Sequence, residues 1–253
     1  MAKPQVGIQM YSVRDLCAQD YLGTIRQIAE IGYRNVELAG YYGVSARDLK
    51  AALADAGLNA PSAHISLNND EPVADQVKRQ LEYAQELGLK RYIVPYYPLG
   101  DNPTEDGVAR MADRLEEAAR IVTEGGLEFG YHNHAFEFQK VNGTAVIDLL
   151  LARISPELMF MEFDLGWVKV GGEDPAAYVK KYAGRVPVVH AKDFKADGND
   201  TEIGRGSVDW DSALAACEAA GTEYVIIEQE HYDVGSLESA KLNYAWFKER
   251  GWI

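Results

Sequence analysis

Short apolar runs rich in Val, Ile and Tyr alternate along the chain with longer stretches whose apolar positions recur at helical spacing. The pattern predicts strands near Val6–Met10, Asn35–Leu38, Asn59–His64, Arg91–Pro95, Glu128–His132, Leu158–Phe163, Val186–His190 and Tyr224–Glu228. Helices are expected in the intervals, over Tyr21–Ile31, Ser45–Ala56, Pro72–Leu87, Thr104–Glu124, Thr144–Arg153, Pro175–Tyr182, Val208–Ala220 and Ser236–Arg250. Gly32, Gly57, Gly88, Gly125 and Gly221 follow the last apolar residue of a helical stretch, where a left-handed residue closes a helix. Pro72 and Pro175 fall where a first turn accepts proline.

Eight strand–helix units in 253 residues predict an α/β fold, a (β/α)8 TIM barrel, as a single domain over residues 1–253. The alternative, an open doubly wound sheet, favours a Gly-rich phosphate turn after the first strand, where this chain reads MYSVRD.

A barrel of this kind carries its active site at the C-terminal ends of its strands. Nearly every predicted strand here ends in reactive side chains: Gln9 and Tyr11, Glu37, Ser62 and His64, then His132 and His134 with Glu137 just beyond. Glu162 and Asp164, His190 with Lys192 and Asp193, and Glu228 with Glu230 follow on the later strands. Taken singly, such a Glu caps a helix and such a His is hydrogen-bonded scaffold. Four of the five histidines at the same end of three different strands form a pattern that scattered surface histidines do not. Carboxylates and imidazoles together suit one divalent ion, with Mn²⁺ expected first and Co²⁺, Mg²⁺ or Zn²⁺ as alternatives. Cys17 and Cys217 lie away from the strand ends and outside any C-x-x-C pattern, which argues against a Cys-type zinc site and against a disulfide framework.

The formal charge of −14, from 39 acidic and 25 basic residues, opposes nucleic-acid phosphates and anionic membranes. No apolar window is long enough to span a bilayer, and the first residues show no signal-peptide pattern. A cytoplasmic protein acting on a small molecule is expected.

The pieces GIQMYSVRD, YRNVELAG, SAHISL, GYHNHAFEF, MEFDLGWVKVGG, VHAKDF, GRGSVDW and VIIEQEHYD run in order from Gly7 to Asp233. In them the chain resembles the xylose isomerase-like TIM barrel superfamily, in particular its sugar phosphate isomerase/epimerase group. The resemblance implies a metal held by Glu, Asp, His and Glu from the fifth to eighth strands. Asp164, His190 and Glu228 match three of these. At the fifth strand the chain departs from the pattern: His132 stands where relatives carry Glu, so the ligand is Glu137, folding back, or else His132, with Glu137 the favoured choice. The same resemblance turns Glu37, His64 and Lys192 toward substrate. The plainer readings are an ion pair for Glu37 and an orienting contact to Asp193 or Glu162 for Lys192. Tyr11 and Trp167 are an apolar wall for a sugar ring or plain packing. His132, His134 and Glu230 complete the substrate side, Glu230 in a secondary role.

The implied activity is metal-dependent isomerisation or epimerisation of a small keto-sugar or cyclitol through an enediolate, with Glu137, Glu228, His64 and Lys192 as the catalytic set and His134 able to assist. The alternatives are a dehydratase or lyase that eliminates a β-hydroxyl or β-glycosyl group, and a non-catalytic carbohydrate-binding barrel. Neutral substrates are favoured over phosphorylated ones, because Arg205 is the one obvious rim cation. Endonuclease IV shares the superfamily, but its three-metal site needs more histidines, and Trp167 stands at one position where it has a ligand. Relatives of the group imply a homodimer or homotetramer.

Overall fold

The computed structural model describes residues 3–253; Met1 and Ala2, part of the domain expected over 1–253, lie outside the described residues. Eight parallel strands close into a barrel: β1 (Gln5–Gln9), β2 (Asn35–Ala39), β3 (Asn59–His64), β4 (Arg91–Val94), β5 (Glu128–His132), β6 (Phe160–Asp164), β7 (Val188–Ala191) and β8 (Tyr224–Ile227). Pairing of β1 with both β2 and β8 completes the ring, so no edge is left unpaired. The α/β barrel read from the alternation is the observed fold.

Helices α1 (Tyr21–Ile31), α2 (Ala46–Ala56), α3 (Val73–Leu87), α4 (Glu105–Glu124), α5 (Val146–Arg153), α6 (Leu165–Val170), α7 (Pro175–Lys181), α8 (Trp210–Ala220) and α9 (Ser236–Glu249) surround it. Their starts are set by side chains that accept orphan amide protons. Asp20 accepts from Gly23, Ser45 from Asp48, Thr104 from Gly107, and Asp209 from Ser212. Apolar faces such as Ile25 and Ile28 of α1, or Met111, Leu115 and Val122 of α4, are buried in the main core between helices and sheet. A separate cluster of Ile93, Phe160, Val188 and Ile226 packs inside the barrel. The Phe160 ring occupies the space that a Cβ on Gly130 would take, the nearest atom being 2.4 Å from it.

Several boundaries differ from expectation. After β1 the chain turns at once into a 3-10 segment, Met10–Val13, because Gln9 accepts from the Tyr11 amide. The sixth and seventh strands begin two residues late and end one residue late, while β8 stops at Ile227. The sixth unit contains two helices, since Asp164 caps α6 and Asp174, followed by Pro175, starts α7. Pro72 is an N-cap residue rather than a first-turn residue. Gly125 keeps a right-handed conformation (φ −76°), and Gly126 (φ 86°) makes the left-handed turn after α4. Two small hairpins, Lys140–Val141 with Thr144–Ala145 and Asp193–Phe194 with Asp200–Thr201, decorate the loops after β5 and β7.

Candidate metal centre and substrate cavity

Strand register determines which polar groups meet. His132 is paired with Glu162, Asp164 with His190, Gln9 with Glu37, and Glu37 with Ser62. Alternation along a strand puts residues i and i+2 on one face, so Glu162 and Asp164 both face the barrel axis at successive depths.

The upper group is His132, Asp164, His190 and Glu228, which offer ligand atoms within 4.8 Å of one another, all four buried. His190 Nδ1 is 3.1 Å from Glu228 Oε2, and His132 Nε2 is 4.0 Å from Asp164 Oδ2. Asp164 Oδ1 accepts from the Trp167 amide at 2.9 Å, which caps α6, whereas Oδ2 is buried without a hydrogen-bond partner. An ionised oxygen left so is costly unless a cation meets it. Burial pushes Asp164 up to about 7, against the pull of Lys192, with Glu228 adding to the rise. Burial works the same way on Glu228, but Lys192 and His190 outweigh it and hold that carboxyl well below its ordinary range. Two carboxylates, two imidazoles and an unanswered oxygen form a donor set suited to a divalent ion.

Beneath lies a second tier. Glu37 is fully buried, accepts from Gln9 Nε2 at 2.8 Å and Ser62 Oγ at 2.5 Å, and has Oε1 2.7 Å from His190 Nε2. His64 Nε2 lies 2.6 Å from Glu162 Oε2 and 3.0 Å from Glu37 Oε1. Burial disfavours the imidazolium of His64, but Glu37 and Glu162 prevail and raise it to about 10. His132, by contrast, is pushed down to about 4, chiefly by burial.

The expected residues are therefore redistributed. Glu137 joins neither group: it is fully buried, Tyr131 Oη donates to its Oε1 at 2.6 Å, and the His134 amide donates to its Oε2 at 2.8 Å. His132 stands with Asp164, His190 and Glu228 instead. Glu37 forms no ion pair with Lys or Arg and lies below the cavity. Lys192, only 1% exposed, bonds Glu228 Oε2 at 3.4 Å and also Glu230, not Asp193 or Glu162. Trp167 packs over Lys192, Phe194 and His134 rather than forming an open wall.

Above the upper group opens a cavity of about 280 Å³ lined by Tyr11, Ala39, Gly40, His64, Ser66, Pro95, Tyr96, His132, His134, Glu228 and Glu230. Tyr11 and Tyr96 form its exposed rim, and the Arg14 guanidinium sits 4.4 Å from the Tyr11 ring centroid. Burial pushes His134 down to about 3, with His132 and Lys192 adding, so it enters the wall as a neutral imidazole. No Lys or Arg is among the lining residues, and Arg205 pairs with Glu202. A second cavity of about 330 Å³, at the opposite mouth, includes Glu128, Arg185 and Glu223 but gathers no such ligand set.

Three site residues escaped the sequence reading. Glu162, expected only as a strand-end group that Lys192 could orient, carries a signal in its i, i+2 relation to Asp164. Tyr96 and Ser66 follow β4 and β3 without any local signal. Asp193, a strand-end acid, organises a loop rather than the site: the amides of Gly204, Gly206 and Val208 and the Trp210 indole all donate to it.

The family model described as xylose isomerase-like TIM barrel matches residues 25–250. An inosose dehydratase of Bacillus cereus is 28% identical over 70% of this chain and 64% of its own length, so the matching region spans less than two thirds of that relative. An inosose dehydratase of Geobacillus thermodenitrificans is 25% identical over 81% of this chain and 80% of its own. A solved sugar phosphate isomerase/epimerase from Parabacteroides distasonis superposes with a TM-score of 0.87 at 24% identity, covering 100% of both chains. No helix among the described residues is long and apolar enough to cross a membrane.

Proposed function

The chain belongs to the xylose isomerase-like TIM barrel family, and from that premise we propose that it is a divalent-metal-dependent lyase that eliminates a β-hydroxyl or β-glycosyl group from a neutral keto-cyclitol or keto-sugar. The observation that carries this reading is the upper group itself, four ligand atoms meeting at the floor of a cavity without lining Lys or Arg. His132, Asp164, His190 and Glu228 would hold the ion. When bound, such an ion polarises a substrate carbonyl and acidifies the adjacent C–H.

The protein's own groups supply the proton transfers. Glu230 lines the cavity, is partly exposed and belongs to neither tier, so its carboxylate takes the proton next to the carbonyl, with Lys192 fixing its position. His64 has Nε2 committed to Glu37 and Glu162, which leaves Nδ1 to hand a proton to the departing oxygen. Tyr11 and Tyr96 offer apolar faces to the ring and restrict water. A neutral substrate fits walls that hold Glu228 and Glu230 but no free cation.

Elimination is preferred over the isomerase/epimerase reading because a second carboxylate facing Glu230 across the substrate carbon, to pair with it in a two-carboxylate epimerisation, is not among the lining residues. With Glu137 locked by Tyr131 and the His134 amide, the lining carboxylates both come from the segment after β8. The names of the inosose dehydratase relatives support the same choice. Isomerisation or epimerisation, favoured by the fold likeness, is the second reading.

The protein, stripped with chelator and reloaded with Mn²⁺, Co²⁺, Mg²⁺ or Zn²⁺, should convert an inosose or a 3-keto-glycoside into an unsaturated ketone visible by NMR. Conversion of free ketoses without elimination would replace this reading with the second. A protein that binds no metal and carbohydrate alone would reduce it to a binding barrel.

A further inference from the structure

His132 and His190 each offer two ring nitrogens, and their neighbours divide these nitrogens in opposite ways. His132 directs Nδ1 at Glu162 Oε2, 3.0 Å away, and Nε2 toward Asp164 Oδ2, 4.0 Å away and beyond hydrogen-bond reach. His190 directs Nε2 at Glu37 Oε1, 2.7 Å away, and Nδ1 at Glu228 Oε2, 3.1 Å away. The reversal follows from register: His132 pairs with the deeper acid of β6, while His190 pairs with the shallower one.

A neutral imidazole has one N–H, and the carboxylate that accepts it decides which nitrogen keeps a lone pair. For His132 the nearer acceptor is Glu162. For His190 it is Glu37, whose oxygens are held in place by Gln9 and Ser62. His64 joins the two acids by placing Nε2 between them.

We propose that Glu37 and Glu162 are positioning residues that set His190 and His132 in opposite tautomers, so that the metal is bound through Nδ1 of His190 and Nε2 of His132. This rests on the metal reading above. It also gives the lower group, His64, His132, Glu162 and His190, a role other than a second metal site, although its ligand atoms too lie within 4.8 Å of one another. Glu162 Oε2 already stands at hydrogen-bond distance from all three imidazoles, although Oε1 is buried without a partner, and an ion there would have to displace the protons that orient the upper site. Carboxylates behind ligating histidines fix ring orientation, and losing one weakens metal binding by roughly 10–100-fold.

The test uses the full chain, labelled with ¹⁵N-histidine and loaded with ¹¹³Cd²⁺. Long-range ¹H–¹⁵N correlations and ¹¹³Cd–¹⁵N couplings should show one ring bound through Nδ1 and one through Nε2, each protonated on its other nitrogen. Glu37→Gln should disturb the N–H of the Nδ1-bound ring alone, whereas Glu162→Gln should disturb chiefly that of the Nε2-bound ring, since Glu162 Oε2 lies 3.0 Å from His132 Nδ1 and 3.3 Å from His190 Nε2. Each should weaken Cd²⁺ binding roughly 10–100-fold. Should a variant fail to fold, the wild-type pattern still decides the coordination mode. Two rings bound through the same kind of nitrogen, equal disturbance of both protons by either variant, or two equivalents of cadmium would each overturn the inference. Absence of bound cadmium would sink the metal reading and this inference together, whereas one equivalent with the wrong nitrogens would sink this inference alone.

Discussion

Burial acts on the Glu137 carboxyl more strongly than its two hydrogen-bond donors do, and pushes it up to about 8. A carboxyl raised in the folded state binds its proton more tightly there than in the unfolded chain, so acid favours folding. The contribution is complete below the ordinary carboxyl range and is lost as pH climbs toward 8. Glu137→Gln has nothing to titrate, yet its amide can still accept from the His134 N–H and donate to Tyr131 Oη. The melting temperature of the variant relative to wild type should therefore rise between pH 5 and pH 8.5; a difference that is flat or falls with pH refutes the buried acid. The same variant separates the two fifth-strand candidates. Glu137→Gln should keep one equivalent of metal by elemental analysis, while His132→Ala should lose it. The opposite pair of results would restore Glu137 as a ligand.

Among the elements, the strand ends work as two-step ladders. His132 and His134, Glu162 and Asp164, His190 and Lys192, and Glu228 and Glu230 are each two residues apart. The deeper and shallower members of each pair serve different levels of one site. Strand periodicity made these ladders legible in the sequence, and with them the ring of eight strands and the gathering of histidines at one mouth. What stayed hidden was which partner each strand-end group meets. Whether Glu137 folds back depends on the Tyr131 hydroxyl, and whether Glu37 meets substrate depends on Gln9 and Ser62 from neighbouring strands. Contacts between strands far apart in the chain leave no local pattern. Close approach of elements is similarly silent: a Cβ on Gly166 would lie 2.4 Å from the Lys192 carbonyl oxygen, so only glycine lets α6 lie against the end of β7. Gly166→Ala should cost about 1–3 kcal/mol in denaturant unfolding, as overpacked sites do, and should weaken metal binding by shifting Lys192 and the Asp164 cap. Unchanged stability and affinity would show that the contact relaxes freely.

For the molecule as a whole, the barrel concentrates acids that an ion would help to neutralise. Asp164 and Glu228 sit in the upper tier, Glu37 and Glu162 below it, and the net charge of −14 supplies no compensating field. Cations bound only by the folded state add RT ln(1 + [L]/Kd) to stability, about 2.7 kcal/mol at a hundredfold excess over Kd. In a chain of this length each kcal/mol moves Tm by roughly 2–4 °C. Chelation should consequently lower the melting temperature by about 5–10 °C, on the same reasoning, and Mn²⁺ or Zn²⁺ should restore it at one equivalent. His132→Ala should melt at one temperature with or without chelator, because its upper group has lost an imidazole. If that variant still responds, the stabilising ion is bound elsewhere than among His132, Asp164, His190 and Glu228. If neither protein responds, the buried acids are balanced by Lys192 and the imidazoles alone, and the barrel folds around a site that needs no ion.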